Sequence, residues 1–338
     1  MKKVTALILI VIGCLWFLPG CGKGGVEYEL HGSGGYYIVT GKTDNANKYL
    51  EIASEYRDKP VSEIADHAFE NWEELDSVII PKTIRRIGEK AFYGCKKLQN
   101  LQIEEGVKEV GEKAVGKGYL EINDFAFSDC DSLTKVILPK SLKRIGKGAF
   151  FDCDNIYDIN LSTNVQEIGT DAFAECGFLM LINVEGMNQY FKSTDGVLYN
   201  ADESILIQYP QARGEETYSI GFETIEIKEK AFMNADVEFV DINNMILEKI
   251  GEYAFHGCKK IQTITIGEKV KSIGAGCFSG CEKLQTIIFN DPEGWTAVKK
   301  NSEEEIIDSK ELLSDELSDP DTARILLQEY SEYQWIKD

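Results

Sequence analysis

Apolar residues recur along this chain with a period that belongs neither to an isolated helix nor to a strand. The pair Ala-Phe returns at Phe69, Phe92, Phe127, Phe150, Phe173, Phe232 and Phe255, with Cys277-Phe278 as a variant, and five of the steps between them are 23 residues. The template around each Phe is I-G-x-x-A-F-x-x-C-x-x-L-x-x-I-x-I; one copy runs through Ile145-Gly146, Ala149-Phe150, Cys153, Ile156, Ile159 and Leu161. Such a unit has too few apolar residues to close its own core, so neighbouring units must stack to bury them. Within it, I-x-I has period two and predicts a short strand with both aliphatics inward. The segment G-x-x-A-F-x-x-C has period three to four and predicts a short helical or 3₁₀ turn. The recurring Gly88, Gly146, Gly169, Gly251 and Gly274 suit either unusual dihedrals or close packing. Units stacked in register place their strands side by side as a parallel sheet.

The irregular steps are legible too. Ala114-Val115 falls 23 residues after Phe92 as a degenerate copy, and a 12-residue offset leads on to Phe127. The gap of 59 residues from Phe173 to Phe232 leaves room for one further coil plus an insertion. Ala235 stands where the Phe232 copy should carry Cys, and the strand of that copy slips by one residue; Trp72 replaces Cys after Phe69.

The 23-residue unit, the Ala-Phe-x-x-Cys step and the strand-ending Ile80-Pro81 and Leu138-Pro139 together resemble the BspA-like leucine-rich repeats of bacterial surface proteins, over residues 37 to 338. The resemblance implies an α/β leucine-rich-repeat solenoid, horseshoe-like, with short parallel strands, short helical turns and nine to ten coils. The span 37–300 is then the solenoid. Tyr37 to Gly41 with Ser54-Glu55-Tyr56 and Pro60-Val61 is similar to the family's N-terminal cap, and 191–210 to a hairpin inserted between coils. Asn200-Ala201-Asp202-Glu203 joins the two apolar runs of that hairpin, as turn chemistry requires. Beyond it, Trp295 closes the last coil, 301–317 reads as an acidic linker, and Asp319-Pro320 starts a helix with Asp as N-cap. Ile325, Leu326, Tyr330, Tyr333 and Trp335 give that helix an apolar face for capping the solenoid; a flexible tail is the alternative.

At the other end, Met1-Lys2-Lys3 and the apolar run Val4 to Phe17 read as a signal peptide over 1–20, too short for a comfortable bilayer span. Leu18-Pro19-Gly20-Cys21 looks like a bacterial lipobox, with Cys21 as the lipidated residue and 21–36 as a flexible tether; Cys14 ends a second matching stretch. An ordinary secretory signal is the other reading. Either one expects an extracytoplasmic protein, and Cys21 expects one anchored to the bacterial cell membrane by lipid alone.

A formal charge of −21 argues against nucleic acid or anionic headgroups as partners. Of nine cysteines, Cys95, Cys130, Cys153, Cys176, Cys258 and Cys281 fall three residues after the repeat Phe. They therefore form a column of buried thiols rather than a metal cluster, although strand spacing alone permits a disulfide. His31, His67 and His256 make no pairing with Ser, Cys or Asp that resembles a catalytic set, and the glycine cluster Gly32-Ser33-Gly34-Gly35 reads as linker. No cofactor, metal or enzymatic activity is expected.

A monomeric binding or adhesion module recognising an extracellular protein or glycan is the expected function; a structural spacer is the alternative and an envelope hydrolase a remote one. With residues nine and eleven after the Phe pointing inward, those eight and ten after it point out. That selects Asn100 and Gln102, Lys135 and Ile137, Asp158 and Asn160, Leu181 and Asn183, and Thr263 and Thr265, with Tyr157 beside the strip, as the candidate binding face.

Overall fold

Each repeat forms one coil of a solenoid of about ten turns, seen in a computed structural model that describes residues 25–105, 119–242 and 246–337. The span expected to be a signal peptide, Cys21 and the copy at Ala114-Val115 lie outside the described residues. The I-x-I motif makes the expected strand: Ser77–Ile80, Asn100–Ile103 and Lys135–Ile137 pair in parallel, as do Asp158–Leu161 with Leu181–Val184 and Thr263–Ile266 with Thr286–Phe289. A second, shorter strand sits at the x-I-G step, where Arg86–Ile87, Leu120–Ile122, Leu142–Ile145 and Glu167–Ile168 form a parallel ladder. The stack passes directly from the Phe92 coil to the Phe127 coil, because Arg86 pairs with Glu121 and the two rings stack at 5.1 Å.

The turn around each Phe departs from the helical expectation. The N–H groups of Ala91, Tyr93 and Cys95 donate to carbonyls three residues back, whereas those of Lys90, Phe92 and Gly94 donate to Asp124, Ala126 and Ser128 in the next coil. Left-handed residues two before and two after the Phe produce this alternation: Lys90 and Gly94, Phe125 and Asp129, Lys230 and Asn234 all have positive φ. A continuous helix would spend every amide within its own coil. The interrupted turn spends half of them holding coils together, which gives a third inter-coil ladder. The conserved-spacing glycines serve close approach and not dihedral freedom; a Cβ on Gly251 would lie 2.4 Å from Glu229 N and one on Gly146 2.5 Å from the Asn123 carbonyl carbon.

Inside the stack the Phe rings form a column, with centroids 5.0 Å apart from Phe69 to Phe92 and 5.9 Å from Phe150 to Phe173. The seven described cysteines are buried free thiols. Six are more than filler: Cys153 Sγ donates to Phe127 O at 3.0 Å and Cys176 Sγ to Phe150 O at 3.1 Å, with equivalent bonds from Cys95, Cys130, Cys258 and Cys281. Ala235 has no such group, and there the side-chain amide of Gln208 bonds the Tyr209 carbonyl instead.

The regular stack stops after Phe173. The insert is a three-stranded antiparallel meander (Phe191–Thr194, Val197–Asn200, Ile205–Gln208) in place of the expected two-stranded hairpin. Its third strand opens a second parallel ladder by pairing with Glu226–Ile227. Tyr209 takes the Phe position of that coil, 4.8 Å from Phe232, and a second column runs on to Phe278. Two hydrophobic cores result, meeting at the neighbouring residues Val197 and Leu198. The slipped strand is present: Val240 is buried and Phe239 faces outward.

Both ends differ from the simple expectation. The tether expected over 21–36 is occupied from Val26 by a strand, Val26–Leu30, antiparallel to Tyr37–Lys42, and the glycine cluster forms the turn between them. Tyr28 stacks on Tyr56 at 4.4 Å to seal that end. The acidic linker contains a strand, Ile306–Glu311, and a short helix α1, Ser314–Ser318. Helix α2, Pro320–Glu329, is capped by Asp319, which accepts from Thr322 N at 2.8 Å. It buries Ala323, Leu326 and Leu327 and leaves Ile325 exposed, while Trp335 is buried from a terminal strand paired with Ser272–Ile273. Among the described residues no helix is long and apolar enough to cross a membrane.

Candidate binding face

Strand pleating decides which side chains this face offers. Leu101, Ile103, Ile159, Leu161 and Ile182 are buried, which turns the alternate residues of each strand outward. Asn100, Gln102, Lys135, Asn160 and Asn183 are exposed, and Asp158, Thr263 and Thr265 are half-buried. Registration groups them: Lys135 lies beside Asn100 and Ile137 beside Gln102; Asp158 lies beside Leu181 and Asn160 beside Asn183. Thr263 and Thr265 belong to a separate two-stranded sheet beyond the meander, beside Thr286 and Ile288. The strip chosen from the repeat therefore spans three separately bonded ladders, since Asp158, Asn160 and Asn183 also lie in a two-stranded sheet apart from that of Asn100, Gln102 and Lys135. Its first part lies before the meander and its threonines after it.

Three polar groups of the first part, Asp158, Asn160 and Asn183, are locked to one another. Asn160 Nδ2 donates to Asp158 Oδ2 at 2.5 Å, and Asn183 Nδ2 donates to Asn160 Oδ1 at 3.0 Å. This amide ladder restrains the side-chain rotamers, so little rotamer entropy remains to be lost in any further contact. Tyr157 stands beside it, 52 % exposed. Phe178 is the residue that sequence reasoning missed, 64 % exposed on the adjoining coil. The bonds Phe178 N to Asp154 O and Met180 N to Tyr157 O fix the two coils together there. The signal was available: five residues after the repeat Phe, the regular coils carry Glu74, Lys97, Ser132, Asn155, Lys260 and Lys283, and the only other apolar residue there, Val237 of the slipped Phe232 coil, is buried.

An acidic edge borders these aromatics. Burial, then the neighbouring carboxylates with Asp154 foremost, pushes Asp152 above the usual carboxylate range; burial also raises Asp131, against the pull of Lys96. The histidines are dispersed. His31 stacks on Tyr36, His67 faces Glu70 at 2.8 Å and His256 faces Ser279 at 2.6 Å. Among the described residues, no group of three or more His, Cys, Asp and Glu side chains is placed to hold a metal ion. The face thus presents amides, one lysine and exposed rings, a chemistry of recognition by hydrogen bonding and apolar contact.

A BspA type leucine rich repeat region describes residues 62–120, 115–195 and 224–302 of the chain. The unmatched interval between 195 and 224 contains most of the meander. Among solved structures, a leucine-rich repeat protein from Eubacterium ventriosum is 20% identical, with a TM-score of 0.58 over 79% of this chain and 71% of that one. The pneumococcal vaccine antigen PcpA is 23% identical, with a TM-score of 0.57 over 80% and 81% of the two chains. A leucine-rich repeat protein from Bacteroides ovatus is 23% identical, with a TM-score of 0.53 over 78% and 70%. At these identities the likeness concerns the fold. Among curated proteins, none matches this chain in sequence.

Proposed function

Because the chain belongs to the BspA-type leucine-rich-repeat family, whose members are bacterial surface proteins, we propose that it is a surface-displayed binding module for an extracellular protein or glycan. Its recognition surface is the strand face before the meander, and the adjoining aromatics Tyr157 and Phe178 are its anchors. The observation that carries this reading is the exposure of these two rings beside a pre-ordered amide ladder. Cys21 supplies the attachment: diacylglycerol on its thiol tethers the solenoid to the membrane as a monomer. Labelled palmitate is then incorporated by the wild type and by Cys14→Ala, but not by Cys21→Ala.

The binding surface is tested on arrays of purified extracellular-matrix proteins and envelope glycans. The Tyr157→Ala/Asn160→Ala variant should lose at least tenfold in affinity for whatever the wild type retains, at an unchanged melting temperature. Unchanged affinity would remove the site from this face.

A further inference from the structure

At a regular junction the repeat Phe donates its amide to the next coil, as Phe150 N does to Ala172 O at 2.9 Å. The equivalent bond from Phe173 N to Gln208 O is not made. The cause is local: Ile207, two before Tyr209, is strand, so this coil lacks the left-handed turn residue that its neighbours have at Asp171 and Lys230. Lys230 Nζ instead reaches past the intervening coil to Asp171 Oδ2 at 2.7 Å. The missing turn leaves a cavity of about 240 Å³, walled by Ile168, Phe173, Phe191, Leu198 and Ile207, with the oppositely charged and exposed Lys228 and Glu229 also in its lining. Asp171 lines it too; its side chain is 10% exposed, and no protein group reaches its buried Oδ1.

We propose that this cavity binds a neutral aromatic N–H donor of about the size of an indole ring, as a free small molecule or as a tryptophan side chain of a peptide. Three features select that class. The apolar walls demand an apolar body. A wholly apolar guest would leave Asp171 Oδ1 buried without a partner, so the guest must donate a hydrogen bond. A cation would meet Lys230, already 2.7 Å from the same carboxylate, and an anion would meet Asp171 itself. Indole joins an apolar bicycle to a single neutral donor and has no acceptor to desolvate. The inference stands apart from the strand face, because the cavity opens at the meander.

Calorimetric titration of the protein with indole, 1-methylindole and N-acetyl-tryptophan amide tests it. Indole should bind saturably, and 1-methylindole, whose donor is blocked, on the order of tenfold more weakly. Ile207→Trp, which fills the cavity from within, should abolish indole binding. Binding of N-acetyl-tryptophan amide alongside indole assigns the guest to a peptide side chain; binding of indole alone assigns it to a free small molecule. Equal affinity for indole and 1-methylindole, absence of saturable indole binding, or full binding by Ile207→Trp would overturn the proposal. The first two comparisons use the unaltered chain and do not depend on how the variant folds.

Discussion

The coils from Phe92 to Phe150 and the coil at Tyr209 solve the same problem differently. In the regular coils the Phe ring is flanked by like rings, its amide bonds the next coil, and its carbonyl takes a thiol from the Cys of that next coil. At Tyr209 a ring still fills the position, but Gln208 replaces the thiol and the junction behind it is bridged by the side chains of Lys230 and Asn234, reaching Asp171 and Glu175. Stacking thus constrains main-chain geometry first and residue type second. Where the turn geometry is lost, apolar residues alone do not close the seam, and a cavity remains.

Alkaline pH should expose this difference most strongly. Burial pushes the thiols of Cys95 and Cys281 from the ordinary 9.0 up to about 12. The unfolded chain loses thiol protons from about pH 9, while the folded stack retains them. Stability is therefore complete below that pH and falls as pH rises toward 12, as urea midpoints measured between pH ~8 and pH ~11 should show. Cys153, fully enclosed, is raised for the same reason, so Cys153→Ala should flatten the decline. Next in size, Phe150→Ala should cost about 3–5 kcal/mol in denaturant unfolding, because that ring is flanked at 5.4 and 5.9 Å. Phe173→Ala should cost at least about 1 kcal/mol less, since one side of that ring already faces the cavity. Equal costs would mean that the junction is as tightly packed as the rest.

Glycine substitutions sharpen the same contrast. Gly251→Ala places a Cβ 2.4 Å from backbone nitrogen and should cost roughly 1–3 kcal/mol. Gly186, just before the meander, has nothing within 4 Å of such a Cβ, and Gly186→Ala should stay within about 0.5 kcal/mol. Smallest of all, Glu175→Gln keeps the backbone and the Asn234 side chain and weakens only the exposed bridge between them; a shift in unfolding free energy above about 0.5 kcal/mol would show that the bridge holds the junction closed.

The solenoid, the I-x-I strands and the Asp319 cap were legible because each leaves a periodic or chemical mark. The strands at x-I-G were not, since two to four residues are too few for a period to show. The turn around Phe150 reads as helical from apolar spacing alone; the left-handed Gly148 and Asp152 that break it are a mixture of residue types with no common signature. Ile306–Glu311 reads as linker because it is held by hydrogen bonds to Trp295–Lys300, with all six residues exposed, and burial is what hydrophobic pattern reports. Tyr209 carried a usable sign, standing 23 residues before Phe232, but its neighbours Gln208 and Pro210 hid the template. The outward strip followed from pleating, and its division by the meander did not, because a repeat pattern cannot show where ladders end.

The central structural claim is that one stack ends at Phe173 and another begins at Tyr209. Native-state hydrogen exchange tests it most directly. The amides of Phe127 and Phe150, bonded to Ala149 and Ala172 in the following coils, should exchange only through major unfolding. The amide of Phe173 should exchange at least about a hundredfold faster through local opening at the seam. Protection of Phe173 equal to that of Phe150 would contradict the account, because it would require the missing junction bond to be present.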